Sequence, residues 1–154
     1  MIIMNRKKIL INKRFRILEF STDQLISKLA KLKSKNNPPD EFFDLESNHT
    51  CDEKCGHRSF FVGALQVASE FYNSFIKMSK NYNINEDPLH MEFEFALIET
   101  LEEQKEQIIN QSPENQRFID GVKSAFEKTR ALVQDTSDEI KKLSHQYGAS
   151  MPDE

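Results

Sequence analysis

The sequence predicts an all-α protein, an antiparallel bundle of three long helices with a shorter basic helix beside them. Three observations carry that expectation. Apolar residues recur at three- and four-residue spacing over most of the chain between Ser59 and Tyr147. Only four Gly and five Pro occur in 154 residues, too few for the tight turns of a sandwich or barrel. Charged residues make up 30% and hydrophobic residues 38%, a polar composition that still supplies a core, with twelve Phe and no Trp as its bulky fillers.

The first twenty residues, MIIMNRKKILINKRFRILEF, are basic and apolar by turns. Ile9, Ile11, Phe15 and Ile17 alternate well enough for extended structure, with Asn12-Lys13 as a turn, so a short N-terminal β-hairpin over residues 1–20 competes with a helix. Ser21 or Thr22 then reads as an N-cap, Asp23 sits in the first turn, and Leu25, Leu29 and Leu32 follow at helical spacing. The prolines of NNPPDE end this shorter basic helix.

Residues 36–58 form a long polar loop, and residues 21–148 as a whole are read as the helical domain, followed by a disordered tail over 149–154. The second helix is expected from about Ser59 to Lys80, with Phe61, Leu65, Ala68, Phe71, Tyr72, Phe75 and Ile76 along one broad stripe. Asp87-Pro88 is a cap followed by a first-turn proline, which opens a third helix reaching about Asn110. Phe93, Leu97, Leu101 and Ile108 point inward on it, while Glu92, Glu99, Glu102, Glu103 and Glu106 read as a solvated face. Ser112-Pro113-Glu114 repeats the start signal, and so short a link makes the third and fourth helices antiparallel neighbours.

The last helix has the clearest period. Phe118, Val122, Ala125, Thr129, Leu132, Thr136, Ile140, Leu143 and Tyr147 follow alternating steps of four and three, with one additional four-residue step at Thr136. Up to Val133 a second row of Ile119, Phe126 and Val133 widens the stripe; beyond Thr136 only Ile140, Leu143 and Tyr147 remain. A narrow stripe is a seam for another helix. Running to a stop at Gly148, this helix would outreach its neighbours, so Ile140, Leu143 and Tyr147 are candidate partner-binding residues. A break at DTSDE, with Thr136 or Ser137 capping a separate short helix, is the alternative.

Both cysteines and two of the four histidines fall within SNHTCDEKCGHRS. His49, Cys51, Cys55 and His57 are a complete zinc set by identity, and zinc is the one cofactor for which the chain holds ligands. Four ligands within nine residues force a very tight loop, so a partial set completed from elsewhere is easier to build. A Cys51–Cys55 disulfide and a metal-free reduced loop are the competing readings. A Cys-His nucleophile lacks an orienting acid and an oxyanion hole, and the deaminase pattern lacks its Glu and its Pro-Cys-x-x-Cys. The di-metal Glu-x-x-His motif has only Asp87-Pro-Leu-His90 as a single approximate match. No glycine-rich phosphate loop occurs. The chain reads as a non-enzyme.

Charge is divided along the chain. Net charge is −4, but residues 1–35 carry ten Lys and Arg against Glu19 and Asp23, a balance of +8 that leaves −12 for the rest. Arg14, Phe15 and Arg16, interleaved with Ile17 and Phe20, would suit nucleic acid, with guanidinium groups on phosphate and Phe15 stacked on a base. The favoured alternative is that the apolar residues seat this segment on the bundle while the basic ones face water or the chain's own acidic helices. No apolar run reaches the roughly 20 residues that span a bilayer, and the N-terminus lacks a signal-peptide cleavage site. The expected setting is cytoplasmic. The expected function is protein–protein interaction or self-association through the long C-terminal helix, with zinc binding and then nucleic-acid binding as successive alternatives.

Overall fold

A computed structural model of the chain describes residues 4–33, 57–81 and 91–147. These form four helices, α1 (Met4–Lys33), α2 (His57–Asn81), α3 (Met91–Gln111) and α4 (Gln116–Tyr147), and no strand among the described residues. No described helix is long and apolar enough to cross a membrane.

The N-terminal segment is the first departure from expectation. Hairpin and short helix are replaced by one helix of 30 residues. The reason lies in the pair Ile9 and Ile11. Two residues apart, they would share one face of a strand, but a helix sends them to opposite sides, and Ile9 is 64% exposed while Ile11 is 1% exposed. No Gly or Pro interrupts Met4–Lys33. Nor does Thr22 start a new helix. It is buried, and its hydroxyl donates to the Leu18 carbonyl at 2.8 Å, four residues back within the same helix.

The same solution recurs at DTSDE. Thr136 Oγ1 donates to the Leu132 carbonyl at 2.9 Å and Ser137 Oγ donates to the Glu94 carboxylate, so both hydroxyls are satisfied without a break. α4 therefore runs 32 residues without interruption. Its start is displaced by one turn from the Ser112-Pro113 signal. Residues 112–115 form a turn, and the cap is Asn115, whose Oδ1 accepts the Phe118 N–H at 3.1 Å.

All four helices contribute to one apolar core. α1 buries Ile11, Phe15, Leu18, Leu29 and Leu32; α2 buries Phe61, Val67, Phe71 and Phe75; α3 buries Phe93, Leu97, Leu101 and Ile108; α4 buries Phe118, Val122, Phe126, Val133 and Ile140. Each fully buried Leu or Phe stabilises the fold by roughly 1.5–3 kcal/mol relative to exposure. Polar pairs report the relative directions. Gln66 reaches Gln111 at 3.0 Å, Gln104 Nε2 donates to Ser74 Oγ at 2.7 Å and Thr100 lies 3.7 Å from Met78 Sδ, so α2 and α3 run oppositely. Glu94–Ser137 and the Lys105 ammonium 4.3 Å from the Phe126 ring centre show the same for α3 and α4.

α2 and α4 make the closest approach, side by side in the same direction. At Gly121 a Cβ would overlap the Phe60 carbonyl oxygen and stand 3.0 Å from Phe60 Cα; at Gly63 it would overlap the Phe118 carbonyl oxygen and stand 3.0 Å from Val122 Cγ2. Backbone meets backbone here because neither glycine has a side chain. Elsewhere in the core aromatic rings join the other helices: Phe75 of α2 stacks on Phe93 of α3 at 6.2 Å, and Phe15 of α1 meets Phe93 edge-on at 5.1 Å.

The expected overhang of α4 came from comparison with the two helices before it, and α2 and α3, with 25 and 21 residues, are shorter than its 32; α1, with 30, nearly matches it. With α1 about 45 Å long against about 48 Å for α4, the late part of α4 has a partner, as Arg14 of α1 pairs with Glu139 at 3.6 Å. Ile140 is accordingly buried and Leu143 packs half-buried against the core.

Two substitutions test this packing. Gly121→Ala gains about 1 kcal/mol of helix propensity but must push α2 and α4 apart, so we expect a net loss of about 2 kcal/mol or more in urea unfolding. Thr129 is fully buried on α4, and its hydroxyl has no hydrogen-bond partner among the described residues. Thr129→Val should raise stability by about 1 kcal/mol in the same assay, because it removes a desolvated hydroxyl.

Candidate functional site

The α1 sequence divides cleanly once it is wound as a single helix. Ile11, Phe15, Leu18, Thr22, Leu29 and Leu32 face inward. Opposite them, at steps of four and three, runs Ile9, Lys13, Arg16, Phe20, Gln24, Ser27 and Lys31, every one exposed. Ile17 and Lys28 flank this line and are exposed as well. Ile9 is 64% and Phe20 60% exposed, unusual for large apolar side chains on a helix whose inner face is already filled.

The candidate nucleic-acid trio does not form one surface. Successive residues of a helix point about 100° apart, and the three side chains go separate ways. Arg14 is half-buried and reaches Glu139 of α4; Phe15 is buried on Phe93; Arg16 is exposed and pairs with Glu19 at 2.9 Å. A ring that fills the core cannot also stack on a base. What the helix presents outward is Lys13 and Arg16 with Ile9, Ile17 and Phe20. The 3–4 spacing in the sequence holds that surface, but grouping Ile17 and Phe20 with Phe15, as the nucleic-acid reading does, hides it.

The candidate partner residues at the C-terminal end are likewise divided. Ile140 and Leu143 belong to the core described above, while Tyr147 closes α4 and its side chain lies outside the described residues. Of the candidate zinc ligands, His49, Cys51 and Cys55 lie outside the described residues; His57 opens α2, with its side chain again outside them. Among the described residues no three His, Cys, Asp or Glu side chains gather closely enough to hold a metal ion.

Two shallow grooves flank α4. One, about 220 Å³ against α1, is lined by Arg14, Ile17, Ser21, Leu132, Asp135 and Glu139 among others. The other, about 200 Å³ against α3, is lined by Glu94, Phe95, Ile98, Val133, Ser137 and Lys141 among others. Both fall below the roughly 300 Å³ at which small-molecule sites begin. They read as furrows between packed helices, each with an exposed apolar residue on its wall: Ile17 in one and Phe95 in the other.

α3 has its own outward line. Glu92, Phe95, Glu99, Glu102 and Glu106 follow at steps of three and four, with Glu103 alongside, and all are exposed. Phe95, at 67%, is among the most exposed large apolar side chains described, and it stands among carboxylates. The sequence reading of the Glu row as a solvated face did not include Phe95. Comparison with protein-family models, with curated proteins and with solved structures finds no match to this chain.

The two aromatic residues of α1 should separate sharply on substitution. Phe15→Ala is expected to cost about 3–4 kcal/mol by opening a cavity between α1 and α3, whereas Phe20→Ala should stay within about 0.5 kcal/mol. Urea or thermal unfolding of the two variants decides it.

Proposed function

We propose that this chain is a non-enzymatic helical protein that acts through protein–protein interaction or self-association, its four helices forming an antiparallel bundle. The observation that carries the reading is the outer face of α1. Three large apolar side chains, Ile9, Ile17 and Phe20, stand exposed among Lys13, Arg16 and Lys28 while the inner face of the same helix is filled. Apolar residues ringed by charges are what a recognition surface requires, since the apolar area supplies affinity and the charges supply orientation.

The class of function is the one expected from the sequence, but its surface differs. Ile140 is given over to the core, so the long C-terminal helix contributes by seating α1 rather than by projecting beyond it.

The double variant Ile17→Asp/Phe20→Asp tests the surface. Being exposed, the two changes should leave the unfolding midpoint within a few degrees, since surface substitutions cost about 0.5 kcal/mol or less each. The native complex carrying the protein in extracts of its source cells should shrink to the size of the free chain, by size-exclusion chromatography with detection of this chain. An unchanged elution position would sink the reading of α1 as the docking face.

A further inference from the structure

We infer that the occupant of the α1 face is the α3 face of a second copy, so that the chain assembles head to tail. This rests on the reading of α1 as a docking surface and names its partner. The two faces are opposites built on the same spacing. The α1 line joins Ile9 and Phe20 to Lys13, Arg16 and Lys31, with Arg6 and Lys28 also exposed on this helix. The α3 line joins Phe95 to Glu92, Glu99, Glu102 and Glu106, with Glu103 beside it. Each is a row dominated by one sign, with Asp23 the exposed acid on the α1 side, and each carries exposed apolar side chains among its charges.

Charge excludes the symmetric alternatives. An α1–α1 contact would bring five exposed cations against five, and an α3–α3 contact would set two carboxylate rows together. Only α1 on α3 pairs opposite signs while covering Phe20 and Phe95 at once. Within one chain these faces cannot meet, because both point outward from the shared core and each is the opposite side of a helix from its buried residues. The contact is therefore between copies. It uses two different patches, so every added copy offers a fresh α1 and a fresh α3 face, and assembly continues until a ring closes or a filament grows.

Charge reversal gives a test whose outcome no other occupant reproduces. The full chain is compared by sedimentation velocity with Lys13→Glu/Arg16→Glu on α1 and with Glu102→Lys/Glu106→Lys on α3. All four positions are exposed, so the unfolding midpoints should match the parent. The parent chain is expected to associate with rising concentration at about 0.05 M salt and to dissociate near 0.5 M, where exposed charges are screened within a few Å. Each variant alone should associate far more weakly than the parent, since reversing two of the five like charges on one face leaves three against two and sets like charges against the other face. An equimolar mixture should recover association, as the introduced glutamates of one variant meet the introduced lysines of the other.

A parent chain that is monomeric at every concentration and salt overturns the inference, as does a mixture that stays monomeric or a single variant that associates like the parent. Vesicles of phosphatidylserine and phosphatidylcholine form a second arm. Binding of a monomeric parent that is lost with the α1 variant and kept with the α3 variant assigns the face to an anionic membrane and overturns the second-copy inference. The Ile17→Asp/Phe20→Asp result is independent of both arms. If that variant still disrupts the native complex while the parent is monomeric, the docking face stands and its occupant is another protein.

Discussion

The architecture depends on two glycines. Gly63 and Gly121 let the backbones of α2 and α4 touch, each glycine lying where a Cβ would run into the carbonyl of the other helix. Once those axes are locked together near the start of both helices, the remaining positions follow. Phe60 and Phe118 sit at the contact, and the Arg117 guanidinium lies 5.1 Å from the Phe60 ring centre while its side chain also meets Asp120 at 3.4 Å. A side chain at either glycine would lever α2 from α4 and open the core that α1 and α3 close from either side.

Away from that contact the core mixes aromatic rings with Leu, Ile and Val and tolerates hydroxyls in a specific way. Thr22 and Thr136 return their protons to carbonyls one turn earlier, and Ser137 donates to Glu94 across the α3–α4 interface. Such bonds satisfy polar groups without interrupting a helix. They also explain how two long helices pass through segments rich in Ser, Thr and Asp. The Ser137–Glu94 pair ties the middle of α4 to the start of α3, so the register of the two helices is set by a buried polar contact as well as by apolar packing.

The outer surface is organised by charge. α1 turns Arg6, Lys13, Arg16, Lys28 and Lys31 outward while Arg14 leans on Glu139, and α3 turns out a row of glutamates around Phe95. The division into 35 basic N-terminal residues and an acidic remainder, visible along the chain, is carried in part by these two helix faces. Exposed ion pairs such as Arg16–Glu19 and Lys142–Glu139 add little to stability.

The all-α class and the inward residues of α2, α3 and α4 were legible in the sequence, because those helices carry unbroken 3–4 periodicity over many turns. So was the division of charge. α1 was misread as partly extended because its alternating Ile and Phe fit two periods, and only the packing of Ile11 and Phe15 against other helices selects the helical one. The burial of Ile140 was not legible for a related reason: whether it lies in a seam or in the core depends on how far α1 extends beside it. Sequence by itself determined the periodic faces, since period is a local property of the chain. Tertiary structure decided which of those faces are covered, because burial is a relation between helices that no single helix contains.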